Sequence, residues 1–176
     1  DGLVHLSVGD VGLAEHGTRH GRRRRRSGRH TCRCGRTVGL DRSACDPAAV
    51  GASAVENLRA QWGVPPGAKI VLHAARLTSI KGQRDLIAAA ARANQEGALD
   101  DAVVILAGDA PGRDAYREEL IGLVARHGLG DKVRLVGHWR EMPAAYLAAQ
   151  VAVTTSPVPE TLGRTSAEAE AMGCSV

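Results

Sequence analysis

A chain of 176 residues can form one ordinary domain whose core needs no disulfide or metal, and because phenylalanine is absent and aromatic residues make up only 2%, aliphatic side chains must fill that core. The net charge of +4 is unevenly distributed: residues 1–43 hold ten arginines against four acidic residues, and the remainder holds 13 basic against 15 acidic residues. The basic balance therefore belongs to the N-terminal segment, which argues against a general nucleic-acid-binding role for the rest of the chain.

The cysteines predict neither a structural zinc site nor a disulfide framework. They include no C-x-x-C pair and no second pair at zinc-finger distance, and they stand at Cys32, Cys34, Cys45 and Cys174. The sequence also shows no export signal and no run of 18 apolar residues. We therefore expect a cytoplasmic location, and attachment to the inner face of the plasma membrane stays open.

Residues 1–43 form a basic, low-complexity segment. Gly, Arg and His dominate between residues 17 and 39, including an arginine run at 22–26, and no periodicity is long enough for a strand or a helix. We predict disorder here and a domain boundary near residue 43. A connector follows with one helix at about 54–62, where Ser53 and Glu56 have the spacing of a capping box.

From about residue 55 the chain alternates short apolar runs with amphipathic segments, which is typical of β-α units around a parallel sheet. The predicted strands are 69–75, 102–107, 132–136 and 151–155, and the helices between them are 81–95, 113–127 and 143–149. A last helix is expected to begin near Leu162 or Gly163. The sequence thus predicts an α/β domain over residues 44–176, a Rossmann-like parallel sheet with flanking helices.

Candidate site residues follow each predicted strand. Because ligands of open parallel sheets bind at the carboxyl ends of the strands, we expect the four loops to face one cleft. Those loops contribute Arg76 and Lys81, then Gly108, then Gly137 and His138, and finally Glu160, Gly163 and Arg164.

The first of these loops carries two cations. Arg76 and Lys81 are five residues apart between a strand and a helix, and the helix start adds partial positive charge. Such a set suits a diphosphate, both for binding and for stabilising it as a leaving group. The alternative interpretation is a solvated charge pair at a helix start.

The last loop and its helix carry two carboxylates separated by seven residues. Glu160 is expected in the loop and Glu168 in the second turn of the helix. A carboxylate accepts hydrogen bonds from two vicinal hydroxyls of a ribose or hexose, and Gly163 would let the backbone approach a phosphate. The alternative is a pair of surface glutamates that bind nothing.

Five segments together, in their order and spacing, resemble family 4 of the retaining GT-B glycosyltransferases. They are GLDRSACDP (39–47), ARLTSIKG (75–82), LAGD (106–109), VGHWREMPAAYLAAQVAVTTS (136–156) and PETLGRTSAEAEAMG (159–173). The resemblance covers about residues 39–176. It implies a hexosyltransferase-type enzyme that binds a UDP- or GDP-type sugar and transfers the sugar with retention to a glycan or lipid-linked acceptor. The wording of two segments, PETLGR (159–164) and REMPAAYL (140–147), resembles that of bacterial enzymes that synthesise lipopolysaccharide or exopolysaccharide.

The resemblance implies roles for the charged candidates. Arg76 and Lys81 would hold the donor diphosphate and Glu160 would lie against the transferred sugar, so these three form the catalytic set. Glu168 would hold the ribose hydroxyls. No divalent metal and no other cofactor is expected, because the two cations neutralise the leaving group in place of a metal.

The remaining candidates would contact the donor through backbone or loop atoms. The resemblance places the N–H groups of Leu162 and Gly163 at the phosphates, and the loop at Gly137 and His138 beside the base. The substrate-binding set is completed by Gly108 and Arg164.

The resemblance also implies a truncated chain, the C-terminal donor-binding half of a GT-B fold that stops after Val176. Residues 1–43 would then be a remnant of the acceptor domain and linker. Our hypothesis for the arginine run is a sequencing or frameshift artefact in a GC-rich gene, and the alternative is a genuine segment of the protein. We expect the isolated chain to bind donor without turnover, because orientation of the substrates and exclusion of water need both domains.

Two other classes of function suit parts of this sequence. A nucleic-acid-binding module would use the arginines at 22–26 for phosphate contacts, but the aromatic residues on which bases stack are nearly absent. A dinucleotide oxidoreductase or a P-loop enzyme would need G-x-G-x-x-G or G-x-x-x-x-G-K-[ST], and neither motif is present. We expect His73, inside a predicted strand, to be a packed core residue.

Overall fold

The structure, a computed structural model, describes residues 45–112, 114–158 and 163–176, together with two short strands nearer the N-terminus. The chain divides into two units, Asp1–Gly39 and Leu40–Val176. In the first unit, strands β1 (His30–Thr31) and β2 (Thr37–Val38) pair antiparallel, where the sequence predicts no strand. The rest of residues 1–44, with the arginine run, lies outside the described residues, so disorder there stays a prediction.

The second unit alternates helices and strands. In chain order they are α1 (Ala52–Gln61), β3 (Lys69–Ala74), α2 (Gln83–Gln95), β4 (Ala102–Ala107), α3 (Asp114–Arg126), β5 (Val133–Gly137), α4 (Met142–Ala148), β6 (Val151–Ala152) and α5 (Arg164–Ala171). Single 3₁₀ turns span Pro47–Ala49 and Ser79–Lys81. No helix among the described residues is both long and apolar enough to cross a bilayer.

Strands β3 to β6 form one parallel sheet in the order β5-β4-β3-β6. From β3 the chain builds outward through β4 to β5, and it then returns to place β6 against the free side of β3. The direction of strand addition therefore reverses between β3 and β6. In open α/β sheets, the carboxyl end of such a switch point is where ligands bind.

Both faces of the sheet are covered, which explains why its strands are apolar runs. Side chains alternate between the faces. On one face Ile70, Leu72 and Ile105 pack against α1, α4 and α5. On the other face Val104 and Leu106 pack against α2 and α3. The predicted α/β class and parallel sheet are confirmed.

Most predicted helices and strands are confirmed to within two residues at each end, but two details are wrong. Helix α1 begins at Ala52 with Gly51 as its N-cap and without a side-chain cap, so Ser53 lies inside the helix and the capping box does not form. Strand β6 ends at Ala152 instead of residue 155. Beyond it, the hydroxyl groups of Thr155 and Ser156 bond to a neighbouring loop.

Candidate functional site

A cavity of about 220 Å³ lies at the carboxyl ends of β3 and β6, at the switch point of the sheet. Three parts of the chain surround it: the end of β3 with its following loop, the residues after β6, and the start of α5. The lining residues are His73, Ala74, Ala75, Arg76, Lys81, Val153, Thr154, Gly163, Thr165 and Ser166.

The loop after β3 is held at its beginning by a buried amide. Gln83, the first residue of α2, is fully buried, and its Nε2 donates to the carbonyl oxygen of Arg76 at 2.9 Å. The hydroxyl of Tyr116, on α3, donates in turn to Oε1 of Gln83 at 3.2 Å. The next amide, of Leu77, donates to the carbonyl of Asp109 at 2.8 Å. The backbone at Arg76 is therefore attached to α2, to α3 and to the loop after β4.

The end of the same loop is held by the strands on either side of the switch point. The carbonyl oxygen of Lys81 lies 3.0 Å from Nε2 of His73 and 3.1 Å from the hydroxyl of Thr155. A carbonyl only accepts, so Nε2 of His73 carries the proton. Ser156 donates to the carbonyl of Ile80 at 2.7 Å. These bonds fix the backbone that carries the Lys81 side chain.

Glycine is required at position 82 by both conformation and space. Gly82 has φ +69°, and a Cβ there would lie 1.8 Å from the carbonyl oxygen of Thr155. The loop after β3 and the segment after β6 can approach this closely only because position 82 has no side chain.

Two predicted cations and one predicted glycine meet at this cavity. The side chain of Arg76 is exposed, that of Lys81 is half-buried, and both residues line the cavity with Gly163, the N-cap of α5. The backbone N–H groups in the first turn of a helix carry partial positive charge. Thr154 and Ser166, whose hydroxyls are 3.3 Å apart, add hydrogen-bonding groups from either side. Such a set suits an anionic ligand that bears further hydrogen-bonding groups.

Glu168 lies on α5 beyond the residues that line the cavity. Its Oε2 accepts a hydrogen bond from the hydroxyl of Tyr146, on α4, at 3.2 Å, and its Oε1 is 3.4 Å from the guanidinium of exposed Arg164. Burial, followed by the charge of Glu168, raises the pKa of Tyr146 above its ordinary value. The tyrosine hydroxyl therefore stays protonated and acts as the donor in this pair.

Three other candidates lie at the ends of the neighbouring strands and not in the cavity lining. The amide of Gly108 donates to the carbonyl of Gly137 at 2.8 Å, and a Cβ on Gly108 would lie 1.9 Å from the carbonyl oxygen of Ala75. Gly137 ends β5 with φ +75°, and His138 follows it in an exposed position. The structure thus gives Gly108 a packing role between the loops after β3 and β4.

Two candidates cannot be placed. Glu160 and Leu162 belong to residues 159–162, which lie outside the described residues, so their roles stay predictions. Within the described ranges, no group of three or more His, Cys, Asp or Glu residues is arranged to hold a metal ion.

His73 belongs to the site, although its place in the sequence predicts only a packed core residue. Its burial is confirmed, since only 2% of it is exposed, but it also lines the cavity and bonds to the loop that carries Lys81. Its position next to the end of β3 is the available signal, because the last residues of a parallel strand reach the edge where ligands bind. No comparable signal marks Thr165 and Ser166, which line the cavity from the first turn of a helix.

Several solved structures have the same fold. A glycosyltransferase from Rickettsia africae ESF-5 superposes with a TM-score of 0.72 at 25% identity, over 77% of this chain and 35% of that one. Anabaena Alr3699/HepE in complex with UDP-glucose gives a TM-score of 0.67 at 32% identity, with the same coverage. The C-terminal domain of LpcC from Francisella tularensis gives 0.63 at 25% identity, covering 77% of this chain and 68% of that one.

The chain therefore spans about a third of the length of the first two of these proteins. A comparison with curated proteins gives no match. The family model described as "Glycosyl transferases group 1" matches residues 54–176, well over half of the chain, and this range includes every part of the cavity. The fold is that of GT-B enzymes, in agreement with the parallel sheet and the cavity at its switch point. On the match of the family model, the chain belongs to the group 1 glycosyl transferases.

Proposed function

We propose that the cavity at the switch point binds the diphosphate of a nucleotide-sugar donor of UDP or GDP type. The observation that carries this proposal is the meeting of Arg76, Lys81 and the N-terminus of α5 around one cavity. Anabaena HepE, which is similar over 77% of this chain, has a solved structure in complex with UDP-glucose, and this supports a nucleotide sugar as the ligand.

The positive charges of Arg76 and Lys81 suit a diphosphate both as a bound group and as a leaving group. A hydrogen bond between a charged side chain and a phosphate oxygen contributes about 1.5–3 kcal/mol. Negative charge grows on the diphosphate as the bond to the sugar breaks, so the same cations then stabilise it more strongly. Arg76 and Lys81 would thereby do what a divalent metal does in other transferases, and the proposed reaction needs neither a metal nor another cofactor.

The acidic residues complete the proposed donor site. Glu168 would accept hydrogen bonds from the ribose hydroxyls, and Glu160 would lie against the transferred sugar. Leu162 and Gly163 would present N–H groups to the phosphates, with Gly137 and His138 near the base.

This chain spans about a third of the length of its structural relatives, so we propose the reaction for a full-length enzyme of that size. A hexose would be transferred with retention, as in family 4, to a glycan or lipid-linked acceptor held by a second domain. Synthesis of bacterial lipopolysaccharide or exopolysaccharide at the inner face of the plasma membrane is the proposed setting. The structural likeness to WaaG, a glycosyltransferase of lipopolysaccharide biosynthesis, is at 18% identity and supports the fold alone.

Calorimetry on the 176-residue chain tests the proposed site. UDP-glucose, GDP-mannose and ADP-glucose are titrated into the wild type, Arg76→Ala and Glu168→Ala. We expect one UDP or GDP sugar to bind, and each substitution to weaken binding at least about tenfold, the equivalent of one charge-assisted hydrogen bond.

Two control variants match the site variants in residue type, but they change an arginine and a glutamate that do not line the cavity. Arg92→Ala changes the exposed last turn of α2, and Glu170→Ala changes an exposed position two residues after Glu168. Both should bind as the wild type does. The proposal fails if no nucleotide sugar binds, or if both site variants bind as tightly as the wild type.

A further inference from the structure

The carboxylate of Glu168 has two partners of very different character. Arg164 is exposed and reaches it from one turn earlier on the same helix, so that contact is weak and screened by solvent. Tyr146 is 98% buried on α4, and its hydroxyl donates to Oε2 at 3.2 Å. The tyrosine ring is held by packing, and its hydroxyl therefore presents a fixed donor to a side chain that is 25% exposed.

A fixed donor restricts where the carboxylate can lie. A glutamate side chain has three rotatable bonds, and their ordering opposes binding whenever a ligand must immobilise it. Each carboxylate oxygen accepts at two positions, so the bond from Tyr146 leaves both oxygens able to accept from a ligand. An oriented carboxylate with open acceptor positions is suited to a pair of vicinal hydroxyls.

We infer that Tyr146 is a positioning residue that orients Glu168 toward the ribose hydroxyls of the donor nucleotide. The inference rests on the proposed function, because it takes Glu168 as the ribose contact. Helix α4 lines no part of the cavity, but through Tyr146 it would help the site to select a ribonucleotide.

A purely structural role for the same bond predicts a different result. If the bond only ties α4 to α5, its loss lowers the stability of the fold and affects every ligand alike. If it orients Glu168, its loss reduces the preference for a ligand with a 2′-hydroxyl over one without it.

The experiment compares ribose and deoxyribose ligands on the 176-residue chain. Dissociation constants are measured for UDP and 2′-deoxy-UDP, and for GDP and 2′-deoxy-GDP, with the wild type and Tyr146→Phe, which removes only the hydroxyl. We expect the wild type to prefer the ribose form of the nucleotide it binds. In Tyr146→Phe that preference should fall by about fivefold, while affinity for the deoxy form is unchanged.

Two further variants separate positioning from other effects. Tyr116→Phe removes the other tyrosine hydroxyl, which bonds to Gln83, and should leave the ribose preference unchanged. Glu168→Asp retracts the carboxylate by one methylene from both Tyr146 and the ligand, so it checks that Glu168 is the ribose contact and should also lose the preference. Tyr146→Met, which fills the same space without a hydroxyl, takes the place of Tyr146→Phe if that variant fails to fold.

Each outcome has one meaning. A fall in ribose preference in Tyr146→Phe and Glu168→Asp, but not in Tyr116→Phe, supports the inference.

An unchanged ribose preference in Tyr146→Phe or in Glu168→Asp overturns the inference. It is also overturned if Tyr146→Phe weakens the affinity for the ribose and deoxyribose nucleotides by the same factor. If the wild type binds both forms equally, Glu168 makes no contact with the 2′-hydroxyl, and this overturns the inference but leaves the diphosphate site intact. A wild type that binds no nucleotide contradicts the proposed function itself.

Discussion

Gly82 shows how one residue determines the geometry of this site. The predicted helix over 81–95 includes Gly82, but the structure gives this glycine φ +69° and begins α2 one residue later, at Gln83. The close approach to Thr155 could not be predicted, because the two residues are far apart along the chain and meet only when β6 pairs with β3. Local pattern therefore predicted the helix that follows, but neither the left-handed turn at Gly82 nor the contact that requires glycine there.

Substitution of this glycine should cost far more than substitution of a glycine with similar dihedral angles in open space. Gly128 has φ +64° and no heavy atom within 4 Å of a Cβ built there. We expect Gly128→Ala to lower the free energy of unfolding by about 1 kcal/mol through backbone strain alone. Gly82→Ala must also displace Thr155 and should cost at least about 3 kcal/mol. Urea denaturation measures both, and equal costs would contradict the contact.

At the scale of helices and strands, the loop after β3 depends on two helices that do not themselves line the cavity. Gln83 at the start of α2 bonds to the carbonyl of Arg76, and Tyr116 of α3 bonds to Gln83. From the sequence, Gln83 reads as one more polar residue in the first turn of a helix. Its complete burial depends on the packing of α2 against α3, which periodicity does not describe.

Removal of this amide should weaken donor binding without unfolding the domain. Leucine occupies a similar volume, so Gln83→Leu keeps the packing but loses both hydrogen bonds, and the backbone at Arg76 gains freedom. We expect about fivefold weaker binding of the donor by calorimetry, and a melting temperature lowered by about 5 °C, because two hydrogen bonds of about 1 kcal/mol each are lost.

Gln95→Leu is the matched control for this substitution, since it changes an exposed glutamine at the other end of the same helix. It should leave the affinity unchanged. If Gln83→Leu binds as tightly as Gln95→Leu, the amide does not position Arg76.

Strand β6 shows where propensity misleads at this scale. Val151 to Thr155 contains β-branched residues that favour a strand, yet pairing ends at Ala152. The hydroxyls of Thr154 and Thr155 bond to Ser166 of α5 and to the loop after β3. The β-branched pattern therefore predicted the start of this strand and not its end.

For the domain as a whole, repeated apolar runs predicted the parallel sheet, since only strands covered on both faces have that pattern. The order β5-β4-β3-β6 does not follow from the runs themselves, and neither does the position of the cavity between β3 and β6. The structure places Arg76, Lys81 and Gly163 around one cavity, whereas Gly108, Gly137 and His138 do not line it. Glu168, by contrast, is bonded to Tyr146, on the adjacent helix α4, a contact between helices that residue spacing does not reveal.

A crystal structure of the 176-residue chain with UDP-glucose or GDP-mannose, whichever binds in solution, tests the central claim most directly. We predict the diphosphate in the cavity at the switch point, with its oxygens within about 3 Å of the guanidinium of Arg76 and the amine of Lys81. A nucleotide seated elsewhere on the domain, with its phosphates out of reach of both cations, would contradict the account.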